Sequence, residues 1–98
     1  MLRAVHPHQA QDSSGFVVQS GDRYTVEYLE NGRIAKIMTG LAIPAICVFR
    51  DTLTDWILIN GTTIPMTEAD RLRVFDNIGQ GLTFLGLPFK WCDGPARY

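Results

Sequence analysis

PMTEADRLRVFDNIGQGLTFLGLPFKWC, residues 65 to 92, decides how the rest of the chain is arranged. The spacing predicts one long helix from Thr67 to Gly86, then a short strand. Thr67 supplies an N-cap hydroxyl and Asp70 follows at the position of a capping box. Glu68 and Asp70 put negative charge in the first turn, where the helix dipole favours it. Gly86 and then Pro88 end the helix. At about 100° per residue, Leu72, Val74, Phe75, Ile78, Leu82 and Leu85 gather on one side, with Phe75 and Ile78 central to that arc. Arg73, Asp76, Asn77 and Gln80 lie opposite. Such a helix is roughly 27 Å long at 1.5 Å per residue, enough to cross a small sheet.

Four residues do not fit the simple amphipathic pattern. Gly79 and Gly81 each cost about 1 kcal/mol relative to alanine in a helix interior. Gly79 borders the apolar arc, so a close approach of helix to sheet is expected there. Arg71 falls inside the arc, where its aliphatic stem can cover apolar surface while its head reaches water. Phe84 projects from the polar side, and the returning strand Phe89–Cys92 is expected to cover it.

Upstream, RYTVEYLE-NG-RIAKIMT is the clearest hairpin signal: Asn31-Gly32 suits a two-residue type I′ turn. That turn sets the register, with Glu30 opposite Arg33, Tyr28 opposite Ala35, Glu27 opposite Lys36 and Val26 opposite Ile37. Tyr24, Val26, Tyr28, Ala35 and Ile37 then share the face expected under the helix. Gly15–Ser20 reads as a strand before a Gly21-Asp22 turn. Ala45–Arg50 reads as a strand after Pro44, and Asp51–Asp55 as a polar loop. Trp56–Ile59 is the next strand, and Asn60-Gly61 turns it into Thr62–Ile64. Residues 1–14 show no periodicity and are expected to be an irregular lead-in to a single domain of residues 1–98. His6 and His8 flank Pro7 without a carboxylate or cysteine nearby, so no metal site is expected there. The last six residues, DGPARY, read as a loose end. The expected fold class is therefore α+β: an antiparallel twisted sheet of about five to six strands, the long helix on one face, and a short final strand.

Composition narrows the function. Of 98 residues, 46% are apolar and 19% charged, and a chain of this length is expected to form one core without metals or disulfides to hold it. The net charge of −1 argues against nucleic-acid binding as the main task. No apolar run is long enough to cross a membrane. The opening MLRAVHPHQAQDSSG lacks the apolar centre of a secretion signal, so the cytoplasm is the expected compartment. In a reducing cytosol Cys47 and Cys92 are expected to be two buried thiols rather than a disulfide, although they fall in different strands that could meet.

No phosphate loop, zinc signature or nucleophile elbow is present, and no cofactor is expected. Asp51/Asp55 and Glu68/Asp70 are carboxylate pairs, but turn chemistry and the helix dipole explain them. Enzymatic activity is not expected. A small domain of this kind works through a surface. The candidate partner-binding residues are Asp51, Asp55, Trp56, Glu68 and Asp70: four acids forming a negative rim and one aromatic anchor.

From Gly15 to about Trp91 the chain resembles a family of small bacterial immunity proteins that accompany polymorphic toxins, of the contact-dependent inhibition type. The resemblance rests on the YTVEYLENG hairpin, on Trp56 and Pro65, and on Thr67, Asp70, Val74, Ile78, Leu82 and Gly86 in the helix. It departs from the family pattern between Leu41 and Arg50 and in a longer interval from Trp56 to Pro65. The resemblance implies a partner, the C-terminal domain of a cognate secreted toxin such as a nuclease, whose active site this chain would cover in the cytoplasm. It names no contact residue. The alternative is a small structural, assembly or chaperone-like subunit acting through dimerisation. Genomic neighbours would separate the two.

Overall fold

The computed structural model describes residues 2–6, 9–20, 25–40 and 45–92, with backbone alone at positions 5 and 6. The fold is α+β, and among the described residues one helix is held in a curled, mostly antiparallel sheet of nine strands rather than five or six. Strands β1 (Leu2–His6), β2 (Gln9–Asp12), β3 (Val17–Ser20), β4 (Thr25–Glu30) and β5 (Arg33–Gly40) form an antiparallel meander. Then come β6 (Ile46–Phe49), a single 3-10 turn at Arg50–Thr52, β7 (Asp55–Ile57), β8 (Thr63–Pro65), α1 (Glu68–Phe84) and β9 (Phe89–Cys92).

The N-terminal segment corrects the expectation of an irregular lead-in. β1 and β2 extend the sheet beyond β3, and Ala10 is fully buried. The strand signal was weak because the pattern Gln9-Ala10-Gln11 carries only a methyl inward. The expected Gly21-Asp22 turn, Tyr24, Pro44, His8 and the C-terminal DGPARY lie outside the described residues, as does the side chain of His6.

The β4–β5 register is the one set by the Asn31-Gly32 turn: Glu30 faces Arg33, Tyr28 faces Ala35, Glu27 faces Lys36 and Val26 faces Ile37. Both turn residues have positive φ, 52° at Asn31 and 74° at Gly32, as a type I′ turn requires. Val26, Tyr28, Ala35 and Ile37 are buried on the face toward the helix. Lys36 and Glu27 form an ion pair at 3.8 Å on the other face, where solvent keeps its contribution to a few tenths of a kcal/mol, roughly.

Beyond β5 the sheet forks. β7 pairs with β5 near its start, Ile34 opposite Ile57, and β6 pairs at its end, Thr39 opposite Val48. Between them the backbone N–H of Met38 would have no strand to meet. The hydroxyl of Thr52 accepts from it at 2.9 Å and donates to the carbonyl of Phe49 at 2.7 Å. One side chain thus fills the gap left by a missing strand, as buried backbone donors demand.

Among the described strands β9 is the one parallel member, running beside β6 with Ile46 opposite Phe89 and Phe49 opposite Cys92. That pairing brings the Cα atoms of Cys47 and Cys92 to 5.7 Å, and the two form a disulfide. The expectation of two thiols is therefore corrected. A parallel pair brought together across the length of α1 leaves no local trace in the sequence.

The helix begins at the capping box: Thr67 Oγ1 accepts from the Asp70 N–H at 3.0 Å, and Asp70 Oδ2 accepts from the Thr67 N–H at 3.4 Å. It ends in a Schellman motif, with Leu87 N–H to Leu82 O and Gly86 N–H to Thr83 O both at 3.0 Å and Gly86 at φ 73°. The buried stripe is Val74, Ile78, Gly81 and Leu82. The arc is rotated from the expected one: Phe75 lies at its flank and Leu72 is 60% exposed. The glycine that permits close approach is Gly81, not Gly79. A Cβ on Gly81 would stand 2.7 Å from Val18 on β3, whereas one on Gly79 would make only ordinary contacts at 3.7 Å.

Candidate functional site

The expected rim divides in two. Asp51 and Asp55 are exposed, in the 3-10 turn and at the start of β7. Glu68 is exposed in the first turn of α1 and pairs with Arg71 at 3.6 Å. Two contacts join the segments that carry these three acids. Arg71 Nε donates to the carbonyl of Leu53 at 3.0 Å, tying the loop to the helix start, and Asp55 lies opposite Pro65, just ahead of α1. Arg71 therefore does more than reach water, because its guanidinium clamps the loop in place.

Trp56 and Asp70 do not belong to that surface. Trp56 is 0% exposed, beside Tyr28 at 6.2 Å between ring centres and under the Arg33 guanidinium at 4.0 Å. Its side chain faces the core because β7 alternates Asp55 outward, Trp56 inward. Asp70 Oδ2 accepts from the Trp56 indole N–H at 3.2 Å, and Oδ1 accepts from Arg73 at 3.1 Å. These bonds, the indole's first, together with those of Thr67, hold the Asp70 carboxyl below the usual aspartate range. Asp70 is a structural carboxylate.

Asp70 borders a polar knot in which each charge has a counterpart. Glu30 Oε1 accepts from Tyr28 Oη at 2.8 Å, and its two oxygens receive the fork of Arg73 at 3.0 and 2.7 Å. Arg33 adds a contact at 3.2 Å, and Asn77 donates to Tyr28 Oη at 2.9 Å. Burial pushes the Glu30 carboxyl up, but the Arg73 and Tyr28 bonds and the charges of Arg73 and Arg33 hold it below its ordinary value. Burial raises the Tyr28 phenol, and the Glu30 bond raises Arg73. Arg33 Nε is buried without an acceptor, and the face of Trp56 serves as its neighbour instead. Sequence periodicity placed Tyr28, Asn77 and Arg73 on their elements but gave no sign that they meet.

Two further surface features were not expected. The β7–β8 hairpin carries Ile59 at its tip, 99% exposed, and Ile64 on β8 is also exposed. The tip is held by Leu58 N–H to Thr62 O and Gly61 N–H to Leu58 O, both 2.8 Å. Second, a groove of about 600 Å³ runs along the outer side of α1, bounded by Leu2 on β1 and by Phe89 and Trp91 on β9. Phe75, Asp76, Gly79, Gln80, Thr83 and Phe84 complete its lining. β9 does not cover Phe84 as expected: the ring is 47% exposed. Its place on the polar side of the helix was the signal for this groove.

No cluster of three or more metal-ligating side chains occurs among the described residues, and none of their helices is long and apolar enough to cross a membrane. Comparison with protein-family models, curated proteins and solved structures gives no match.

Proposed function

We propose that this chain is an immunity protein that binds the C-terminal domain of a secreted bacterial toxin, a nuclease being one such target, and neutralises it by covering the active site. The observation that carries this reading is the exposed trio Asp51, Asp55 and Glu68, on a loop and a helix start that the Arg71–Leu53 bond ties together. The sequence resemblance supports it independently. An acidic rim fits the basic cleft of an enzyme acting on a polyanion, and blocking a cleft needs only complementary shape and charge. Ile59 and Ile64, on the adjoining hairpin, take the anchoring role that the buried Trp56 leaves vacant.

The disulfide bears on where this happens. Disulfides persist in oxidising compartments, so the Cys47–Cys92 bond favours action there over the cytoplasm.

The test is the affinity of Asp51→Lys/Asp55→Lys for the toxin domain encoded beside this chain, at two salt concentrations. Both side chains are exposed, so folding should be unaffected. The variant should bind at least tenfold more weakly, about 1.4 kcal/mol, with a loss that shrinks as salt rises. Unchanged affinity with an unchanged melting curve would move the interface to the face of the hairpin around Glu27 and Lys36.

A further inference from the structure

Two Asn-Gly pairs stand at hairpin tips, Asn31-Gly32 between β4 and β5 and Asn60-Gly61 between β7 and β8, and all four residues are exposed. In such a pair the backbone nitrogen of the glycine can attack the asparagine carboxamide, because no Cβ stands in the way. The two tips are held very differently.

Asn31-Gly32 is locked. Six registered pairs join β4 and β5 behind it. Glu30, in the pair that closes the turn, is fastened to Arg33 at 3.2 Å and to Arg73 of α1 at 2.7 Å. Asn60-Gly61 has no such anchorage. Residues 59–65 are all exposed, and β7 and β8 share only three pairs behind the tip. Three hydrogen bonds hold it: Leu58 N–H to Thr62 O and Gly61 N–H to Leu58 O, both 2.8 Å, and Thr62 N–H to Asn60 Oδ1 at 3.0 Å. The tip buries no apolar side chain, so opening it costs little beyond exposed hydrogen bonds.

We infer that Asn60 is a site of spontaneous modification, its carboxamide converted to a carboxylate through a cyclic imide, and that the fold protects Asn31 from the same reaction. The Thr62 N–H draws electron density from Oδ1 and makes the Asn60 Cγ more electrophilic. The ring closed by that bond contains the Gly61 nitrogen. When the Gly61 N–H leaves Leu58 O and gives its proton to water, the nitrogen attacks Cγ. The N–Cγ bond forms, the Cγ–Nδ2 bond breaks, and Nδ2 takes up a proton and leaves as ammonia. Water then opens the imide at either carbonyl. The product is aspartate, or isoaspartate with the chain running through the side-chain carboxyl. Both carry a new negative charge beside the exposed Ile59, and isoaspartate also lengthens the turn by a backbone carbon. The modification does not rest on the toxin reading, although it would alter the anchor which that reading places at Ile59.

Prolonged incubation of the full chain in mildly alkaline buffer, followed by mass spectrometry of its peptides, tests this. Asn60 should show the exchange of NH for O, in two products that chromatography separates, at least about tenfold faster than Asn31. In urea the two sites should react at similar rates, since the fold and not the dipeptide makes the difference. Glu30→Gln, which loosens the locked turn, should speed the reaction at Asn31 and leave Asn60 unchanged. Equal rates at the two sites in the folded chain overturn the inference. So does an Asn60 that stays intact over a time in which the chain in urea reacts.

Discussion

Arg73 on α1 grips Glu30 on β4 with two hydrogen bonds, 3.0 and 2.7 Å, across 43 residues of sequence. The Glu30 side chain is only 14% exposed, and Arg33, from the far side of the turn, adds a third contact. The contact fastens the first turns of the helix to the end of the hairpin. Arg73→Ala should cost about 1–2 kcal/mol, discounted for the partly exposed arginine. Arg73→Lys should recover only part of that, since an ammonium cannot supply a fork. Urea unfolding of the three proteins reads this directly, and equal midpoints would show the grip to be a surface pair of no consequence.

The same contact has a pH signature. The Glu30 carboxyl titrates below its ordinary 4.5 in the folded protein, so the unfolded chain takes up the proton first as pH falls. The stability it adds is therefore complete above about pH 4.5 and drains away as pH falls through the lower folded value. Glu30→Gln should be less stable than the wild type at neutral pH and lose less on acidification. Parallel stability curves for the two proteins below that range would contradict the assignment.

The helix interface predicts a graded series. Ile78 is fully buried at its centre, so Ile78→Ala should cost about 2–5 kcal/mol. Phe75, at the flank, should cost less on truncation to alanine, about 1–2 kcal/mol. Leu72→Ala should be within about 0.5 kcal/mol of wild type, as exposed positions usually are. A melting series in any other order would require a different rotation of α1.

Gly81→Ala should destabilise although alanine is the better helix former. Its methyl would press on Val18 of β3 at 2.7 Å, and overpacking of this kind costs about 1–3 kcal/mol. Val18→Ala in the same chain should relieve part of the loss. Failure of that second change to help would separate the effect from the close approach.

The Cys47–Cys92 bond closes a loop with a sequence separation of 45, for which chain entropy gives a contribution of about 4 kcal/mol. Reduction, or the change of both residues to serine, should lower the melting midpoint by many degrees. Differential alkylation of protein taken rapidly from cells reports whether the pair is oxidised where the protein works. Two reactive thiols in native protein would restore the cytoplasmic setting.

Much of the architecture was written locally. Asn31-Gly32 needed positive φ at successive residues, and that requirement alone set the β4–β5 register. Thr67 with Asp70 started the helix and Gly86 ended it, because caps satisfy backbone groups within a few residues of themselves. The exposed acids Asp51, Asp55 and Glu68 were legible for the same reason. Tertiary structure decided the rest. The inward turn of Trp56, the capture of Asp70 by its indole, the close approach at Gly81 rather than Gly79, and the Cys47–Cys92 bond all depend on residues far apart in the chain. Periodicity tells which side of an element a residue takes, with an error of a helical position or two. It carries no information about what stands opposite, and in this protein the neighbour across the gap determines whether an acid is a cap or a rim, and which glycine marks the close contact of helix and sheet.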